Sequence, residues 1–139
     1  MKKIFAIMFL AGALILIGRC NSVEAADYYM GVYHNGQEAY LDSSSIRTKN
    51  EYVNGYHDGD THTCTVKAVW PGSNSYDVVR YEIYVGQTVA LYKNGEKVYQ
   101  TIRAKDPNYL KNNPVENNIV RYFEKLTTQN WNSVPERIR

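Results

Sequence analysis

The residue types most capable of chemistry lie together in one short segment. It runs His57-Asp58-Gly59-Asp60-Thr61-His62-Thr63-Cys64. Imidazole, carboxylate and thiolate groups all bind divalent metal ions, and in an extended chain every second residue of this run shares one side. The alternative is a solvated polar loop, interrupted by Gly59, that leads into a strand with Cys64 in the core. We favour the loop because no second ligand cluster lies nearby and the downstream Glu of a calcium loop is absent.

The sequence therefore predicts no resident metal and no cofactor. Metal binding by this segment stays open as the alternative, and its candidate ligands are His57, Asp58, Asp60 and His62.

Arrangements that could support catalysis are weak. His62 and Cys64 would project side by side from a strand, so the imidazole is not aimed at the sulfur, and no third residue orients it. Glu82 and Glu96 could face each other across a sheet, but acid–base chemistry on a glycoside needs a cleft that a small sheet does not offer. We predict a protein that is not an enzyme and has no catalytic residues.

The N-terminal segment predicts export through the Sec pathway. Lys2 and Lys3 precede an apolar run over 4–17, and Val23 and Ala25 place small side chains at −3 and −1 of a cleavage site. The run is shorter than the roughly 20 residues of a membrane-spanning helix. We therefore expect a signal peptide over 1–25, a single domain over 26–139, and no stable membrane span after cleavage. The destination is the periplasm, the cell surface or the medium.

Charge and cysteine content limit the possible partners. Removing Lys2, Lys3, Arg19 and Glu24 with the signal from 16 basic and 14 acidic residues leaves 13 of each. A neutral domain argues against nucleic-acid binding, which needs a basic excess. Cys20 is an alternative lipidation site, although Arg19 before it does not suit a lipoprotein peptidase. Otherwise Cys64 remains alone, either buried or linking a dimer.

The remaining pattern predicts an α+β fold, in which a single antiparallel meander sheet of about six strands has one C-terminal helix packed on one face. Two strands alternate clearly, one over 61–70 with Trp70 facing the core side, and one over 77–85. Residues 54–60 are predicted as loop, and Asn94-Gly95 as a hairpin turn. The helix should run from Pro114 to about Thr128, with Asn113 and Glu116 forming a capping box and Trp131 anchoring the tail. Its apolar stripe consists of Val115, Ile119, Tyr122, Phe123 and Leu126.

The chain is also rich in tyrosine, with 13 in total. Three of them lie in apolar patterns and are expected in the core: Tyr81, Tyr99 and Tyr122. Others have polar neighbours and are candidates for a binding surface: Tyr28, Tyr29, Tyr33, Tyr52, Tyr56, Tyr76, Tyr84 and Tyr109. Exposed tyrosine supplies contact area at low entropy cost, yet tyrosine is also a good strand former that can replace Phe in a thin core. Both interpretations stay open.

Four segments and the closing helix resemble the surface-adhesin protein E family of exported bacterial proteins. The segments are Ala39–Arg47 (AYLDSSSIR), Val66–Pro71 (VKAVWP), Val79–Tyr84 (VRYEIY) and Leu91–Tyr99 (LYKNGEKVY). The resemblance covers roughly residues 28–130 and implies a small antiparallel sheet with a C-terminal helix and, in some members, attachment to host surfaces. The chain departs from the pattern in an insert over 52–60, and it lacks the second cysteine that some members pair with a strand cysteine. No functional residue is transferred.

These observations together predict an exported, non-enzymatic binding module. It would present a tyrosine-rich sheet face or the 52–62 segment to a protein or glycan partner at the cell surface. The alternative is a periplasmic structural or accessory protein without a host ligand, acting through a sheet edge or a dimer linked by Cys64.

Overall fold

The structure is a computed structural model that describes residues 26–131, with side chains described through residue 129. The expected signal peptide and the lipidation alternative at Cys20 lie outside the described residues, and the anchoring role of Trp131 depends on a side chain outside the described ones. Seven strands and two helices follow one another along the chain: β1 (Asp27–Val32), β2 (Glu38–Asp42), β3 (Arg47–Val53), β4 (Tyr56–Val69), β5 (Tyr76–Gly86), β6 (Val89–Lys93), β7 (Glu96–Gln100), α1 (Tyr109–Asn112) and α2 (Pro114–Trp131).

All seven strands belong to one antiparallel sheet with the order β1-β2-β4-β5-β6-β7, and β3 pairs with β4 beside that path. β4 has 14 residues, so one of its edges accommodates both β2 and β3. A 3-10 turn over Ser43–Ser45 separates these two strands, and the Asp42 carboxylate accepts a hydrogen bond from the Ser44 N–H at 2.9 Å. The predicted α+β meander with a C-terminal helix is confirmed, with β3 as a seventh strand.

The core lies between one face of the sheet and α2. On that face of β4 the buried residues alternate, as predicted, through His62, Cys64, Val66 and Ala68. In α2, Val115, Ile119 and Phe123 are fully buried, and Tyr122 and Leu126 pack against the same core. Burying both apolar stripes is the main source of stability in such a two-layer domain.

Two predictions about β4 are wrong. Residues 56–60 belong to β4, because Asn54 and Gly55 (φ 51° and 81°) form a tight hairpin turn with β3. Trp70 lies beyond the end of β4 and is half exposed.

The capping box at the start of α2 is also not formed. The Asn113 side chain donates to the Tyr109 carbonyl instead, and the Glu116 carboxylate turns inward to bond Tyr81 and Lys93.

Among the described residues, no helix is long and apolar enough to cross a bilayer.

Candidate binding surface

The sheet face opposite α2 is not covered by either described helix, and we call it the open face. Its residues follow from the strand register, in which directly opposed residues point to the same side. One row crosses the sheet through Tyr29, Tyr40, Lys67 and Val78, and the neighbouring row contains Glu38, Val69 and Tyr76. The open face thus has tyrosine and charged residues where the helix face has aliphatic ones.

A shallow groove of about 530 Å³ lies at one end of the open face. Tyr76 and Trp70 border it, with 53% and 50% of their surfaces exposed. The Lys67 ammonium lies 5.5 Å from the centre of the Tyr76 ring and 2.9 Å from an Asp27 carboxylate oxygen. Tyr40 donates to Glu38 at 2.9 Å, and its ring centre is 5.5 Å from that of Tyr29. These contacts hold the rings of Tyr29, Tyr40 and Tyr76 in place, while more than half of the surface of Tyr29 and of Tyr76 stays exposed.

A second depression of similar size lies beside the first, over the middle of β4. The side chains that line it are mainly hydroxyl-bearing or charged: Ser45, Thr63, Thr65, Arg80, Glu82 and Tyr92. Thr63 and Thr65 line the second depression and Lys67 and Val69 the first, so the two depressions follow one another along β4, and together we call them the trough. Val69 lies six positions after Thr63 along the strand, which corresponds to a length of roughly 20 Å.

Exposure of the tyrosines that we considered as binding candidates is confirmed for some residues and wrong for others. Tyr28, Tyr29, Tyr56 and Tyr76 are exposed. Tyr33 and Tyr109, which we expected on polar surfaces, pack against the core, and Tyr52 and Tyr84 are half-buried. The expected core positions are confirmed, since Tyr81 is buried and Tyr99 and Tyr122 are partly buried against the core.

The segment from His57 to Cys64 does not form an exposed loop. An unpaired residue at Asp58 makes a bulge in the β3–β4 ladder, so the strand continues with its polar residues turned inward. His57 Nε2 lies 2.9 Å from Asp60 Oδ1, and Asp60 is fully buried with no hydrogen-bond partner on Oδ2. Asp58 instead accepts a short hydrogen bond from the Tyr84 hydroxyl. Burial and this contact raise the pKa of Tyr84 to about 12.

His62 is held between the sheet and the helix. Its Nδ1 lies 2.8 Å from the Thr48 hydroxyl and its Nε2 2.6 Å from the Thr127 hydroxyl, while its ring stacks on Phe123 with centres 4.9 Å apart. Burial lowers the pKa of His62, opposed in part by the nearby Asp60 carboxylate. Within residues 26–131, no three His, Cys, Asp or Glu side chains form a group able to hold a metal ion. The arrangement binds α2 to the sheet.

Cys64 and the two glutamates also have structural surroundings. Burial raises the pKa of the Cys64 thiol to about 12, and only 3% of the residue is exposed. A thiol in this state is a poor nucleophile. Glu82 is paired with Tyr92 and Glu96 with Lys93, so β6 lies between the two carboxylates. The structure brings none of these groups together as a reactive pair.

A second polar network lies at the end of the core away from His62, and nothing in the sequence predicted it. Glu116 Oε1 accepts hydrogen bonds from the Lys93 ammonium at 2.9 Å and from the Tyr81 hydroxyl at 3.1 Å. The Tyr33 hydroxyl lies 3.0 Å from that of Tyr81, and burial raises the pKa of both tyrosines far above the ordinary value. A cavity of about 270 Å³ lies beside this network. The partners are 23 to 48 residues apart in sequence, so no local spacing could reveal them.

Comparisons with known proteins leave the family open. No protein-family model, curated protein or solved structure matches the chain. The resemblance to the surface-adhesin protein E family therefore stays a prediction from the sequence.

Proposed function

We propose that this chain is an exported, non-enzymatic binding module, similar to surface-adhesin protein E, that engages a cell-surface partner through the open face. The observation that carries the proposal is the exposure of Tyr29, Trp70 and Tyr76 on that face. Aromatic residues held by neighbouring side chains lose little entropy on binding, which is why recognition surfaces favour them.

The buried polar groups support a structural rather than catalytic role. Both ring nitrogens of His62 are occupied by threonine hydroxyls, and the Cys64 thiol is buried with a raised pKa. Neither group is available to a substrate. The 52–62 segment is a less suitable binding element than the open face, because Asp60 and His62 lie in the interior.

Cell fractionation with a protease-shaving control tests where the protein resides, and mass spectrometry of the mature N-terminus tests the cleavage site. We expect Ala26 as the first residue in a shaved or secreted fraction. A protease-protected periplasmic pool would instead favour the accessory-protein alternative. A lipid on Cys20 would overturn the predicted cleavage.

Binding is tested by comparing attachment of the wild type and of a Tyr29→Ala/Tyr76→Ala variant to surfaces coated with host matrix proteins. We expect the double variant to lose attachment while keeping its melting temperature. Equal attachment by both proteins would exclude the open face as the binding surface.

A further inference from the structure

The chemistry of the open face narrows the class of partner. We propose that its trough binds a neutral glycan chain lying along β4, an inference that rests on the binding function proposed above. The trough is about 20 Å long, which is enough for several sugar units.

Its aromatic rings suit the apolar C–H faces of sugar rings. Trp70 and Tyr76 border the groove at one end of the trough, and Tyr29 lies beside Tyr40, which lines the same groove. Each of the three aromatic residues is at least half exposed. Each presents an apolar ring together with a polar O–H or N–H group, so one side chain can stack on a sugar and hydrogen-bond its hydroxyls. This combination matches a ligand that is itself half apolar and half polar.

The other end of the trough supplies hydrogen-bonding groups. Thr63 and Thr65 contribute hydroxyls there, and Tyr92 borders the same depression. A protein partner would require an apolar interface core that can be fully desolvated. The threonine hydroxyls interrupt such a core at this end of the trough, whereas they can bond the hydroxyl edge of a saccharide.

The charges of the trough favour a neutral ligand. Lys67 already forms an ion pair with Asp27, and the Glu38 carboxylate accepts a hydrogen bond from the Tyr40 hydroxyl. Arg80 and Glu82, two residues apart on β5, add one charge of each sign on the same side of the sheet. Because charges of both signs are interspersed along the trough, its electrostatic potential attracts neither a polyanion, such as a sulfated glycan, nor a strongly basic peptide.

The test uses two adjacent tyrosines of β1 as a matched pair. Tyr29 lies on the open face, opposite Tyr40, whereas Tyr28 lies on the helix face, with its ring centre 5.8 Å from that of Tyr122. Both residues are exposed and have the same chemistry. The full mature chain and the variants Tyr28→Ala, Tyr29→Ala, Trp70→Ala and Tyr76→Ala are applied to an array of neutral and sulfated oligosaccharides, with mannan, dextran and dextran sulfate as soluble competitors.

We expect binding to one or more neutral glycans, with an affinity that does not change between low and high salt. Each open-face substitution should weaken binding roughly tenfold, and Tyr28→Ala should leave it within about twofold. Binding only to dextran sulfate and sulfated oligosaccharides, with steep salt dependence, would overturn the inference.

A second arm separates this inference from the proposed function. Attachment to a matrix glycoprotein is measured before and after enzymatic removal of its glycans. Loss of attachment on deglycosylation supports the glycan ligand. Attachment that survives deglycosylation but is lost in the open-face variants would overturn the glycan inference and leave the proposed function standing. Attachment that none of the open-face substitutions affects would overturn both.

Discussion

The buried ion pair between Lys93 and Glu116 gives a stability prediction that can be worked from the structure. The Glu116 side chain is 3% exposed and that of Lys93 is 32% exposed. Substituting Lys93→Met keeps an unbranched chain over the Tyr33 ring, whose centre is 4.9 Å from the ammonium. It leaves the Glu116 carboxylate buried, with the hydrogen bond from the Tyr81 hydroxyl still in place.

Removing one partner of a fully buried pair costs about 3–5 kcal/mol. Because a third of the Lys93 side chain is in water, which weakens the interaction, we expect a loss of about 2 kcal/mol in the free energy of unfolding. Glu116→Gln should cost about 1 kcal/mol, since an amide oxygen still accepts from Tyr81. The double variant should be about as stable as Glu116→Gln alone, because no uncompensated charge remains.

Urea unfolding followed by far-UV circular dichroism at neutral pH measures these differences. The control is Lys97→Met, which removes an exposed lysine from the neighbouring strand, where its ammonium lies 5.5 Å from the Tyr92 ring centre. It should cost less than about 0.5 kcal/mol. Equal losses for Lys93→Met and Lys97→Met, or a double variant destabilised by the sum of the single losses, would refute the argument.

Three further predictions concern the core. Because the pKa of His62 is lowered on folding, its contribution to stability is fully present above about pH 6.5, the ordinary pKa of an unfolded histidine, and is lost as the pH falls from there towards the lowered folded value. His62→Gln should therefore show a smaller loss of stability between about pH 7.5 and about pH 5.5 than the wild type in urea titrations; identical pH slopes would contradict this. The Cys64 thiol, with a pKa of about 12, should react with iodoacetamide only after unfolding, and a native disulfide-linked dimer on a non-reducing gel would disprove its burial. Phe123→Ala should cost about 3–5 kcal/mol by removing a fully buried ring stacked on His62, and a loss below about 1.5 kcal/mol by calorimetry would show that the core refills the cavity.

Most of the fold was predictable because its strands, turns and main helix each have a recognisable local sequence pattern. Three such patterns are confirmed: the alternation over 61–69 in β4, the apolar stripe from Val115 to Leu126 in α2, and the Asn94-Gly95 turn between β6 and β7. The same turn signal at Asn54-Gly55 was missed because the polar residues after it resemble a loop. They form a strand because Asp60 and His57 contact each other inside the fold and the bulge at Asp58 absorbs the irregular spacing.

For the candidate site, the sequence predicted only that it would be rich in tyrosine, not which tyrosines would form it. A sequence rich in tyrosine indicates that some rings are exposed, but period-2 alternation alone does not say which face the helix covers. Tyr33 illustrates the limit, since its polar neighbours suggested exposure and its hydroxyl instead meets Tyr81, 48 residues away. The contact of His62 with Thr127 spans 65 residues and likewise depends on the path of the helix.

The irregular strand pairings have a consequence for solubility. The described sheet exposes three edge strands, β1, β3 and β7, and each pairs with its inner neighbour through a ladder containing a register shift. The ladders joining β2, β4, β5 and β6 run without interruption. Bulges twist an edge away from the flat geometry that another strand needs, and edge charges such as Lys49 and Glu51 oppose docking further. The irregularities are concentrated at the strands where one molecule could add to the sheet of the next, so these edges oppose growth into fibrils.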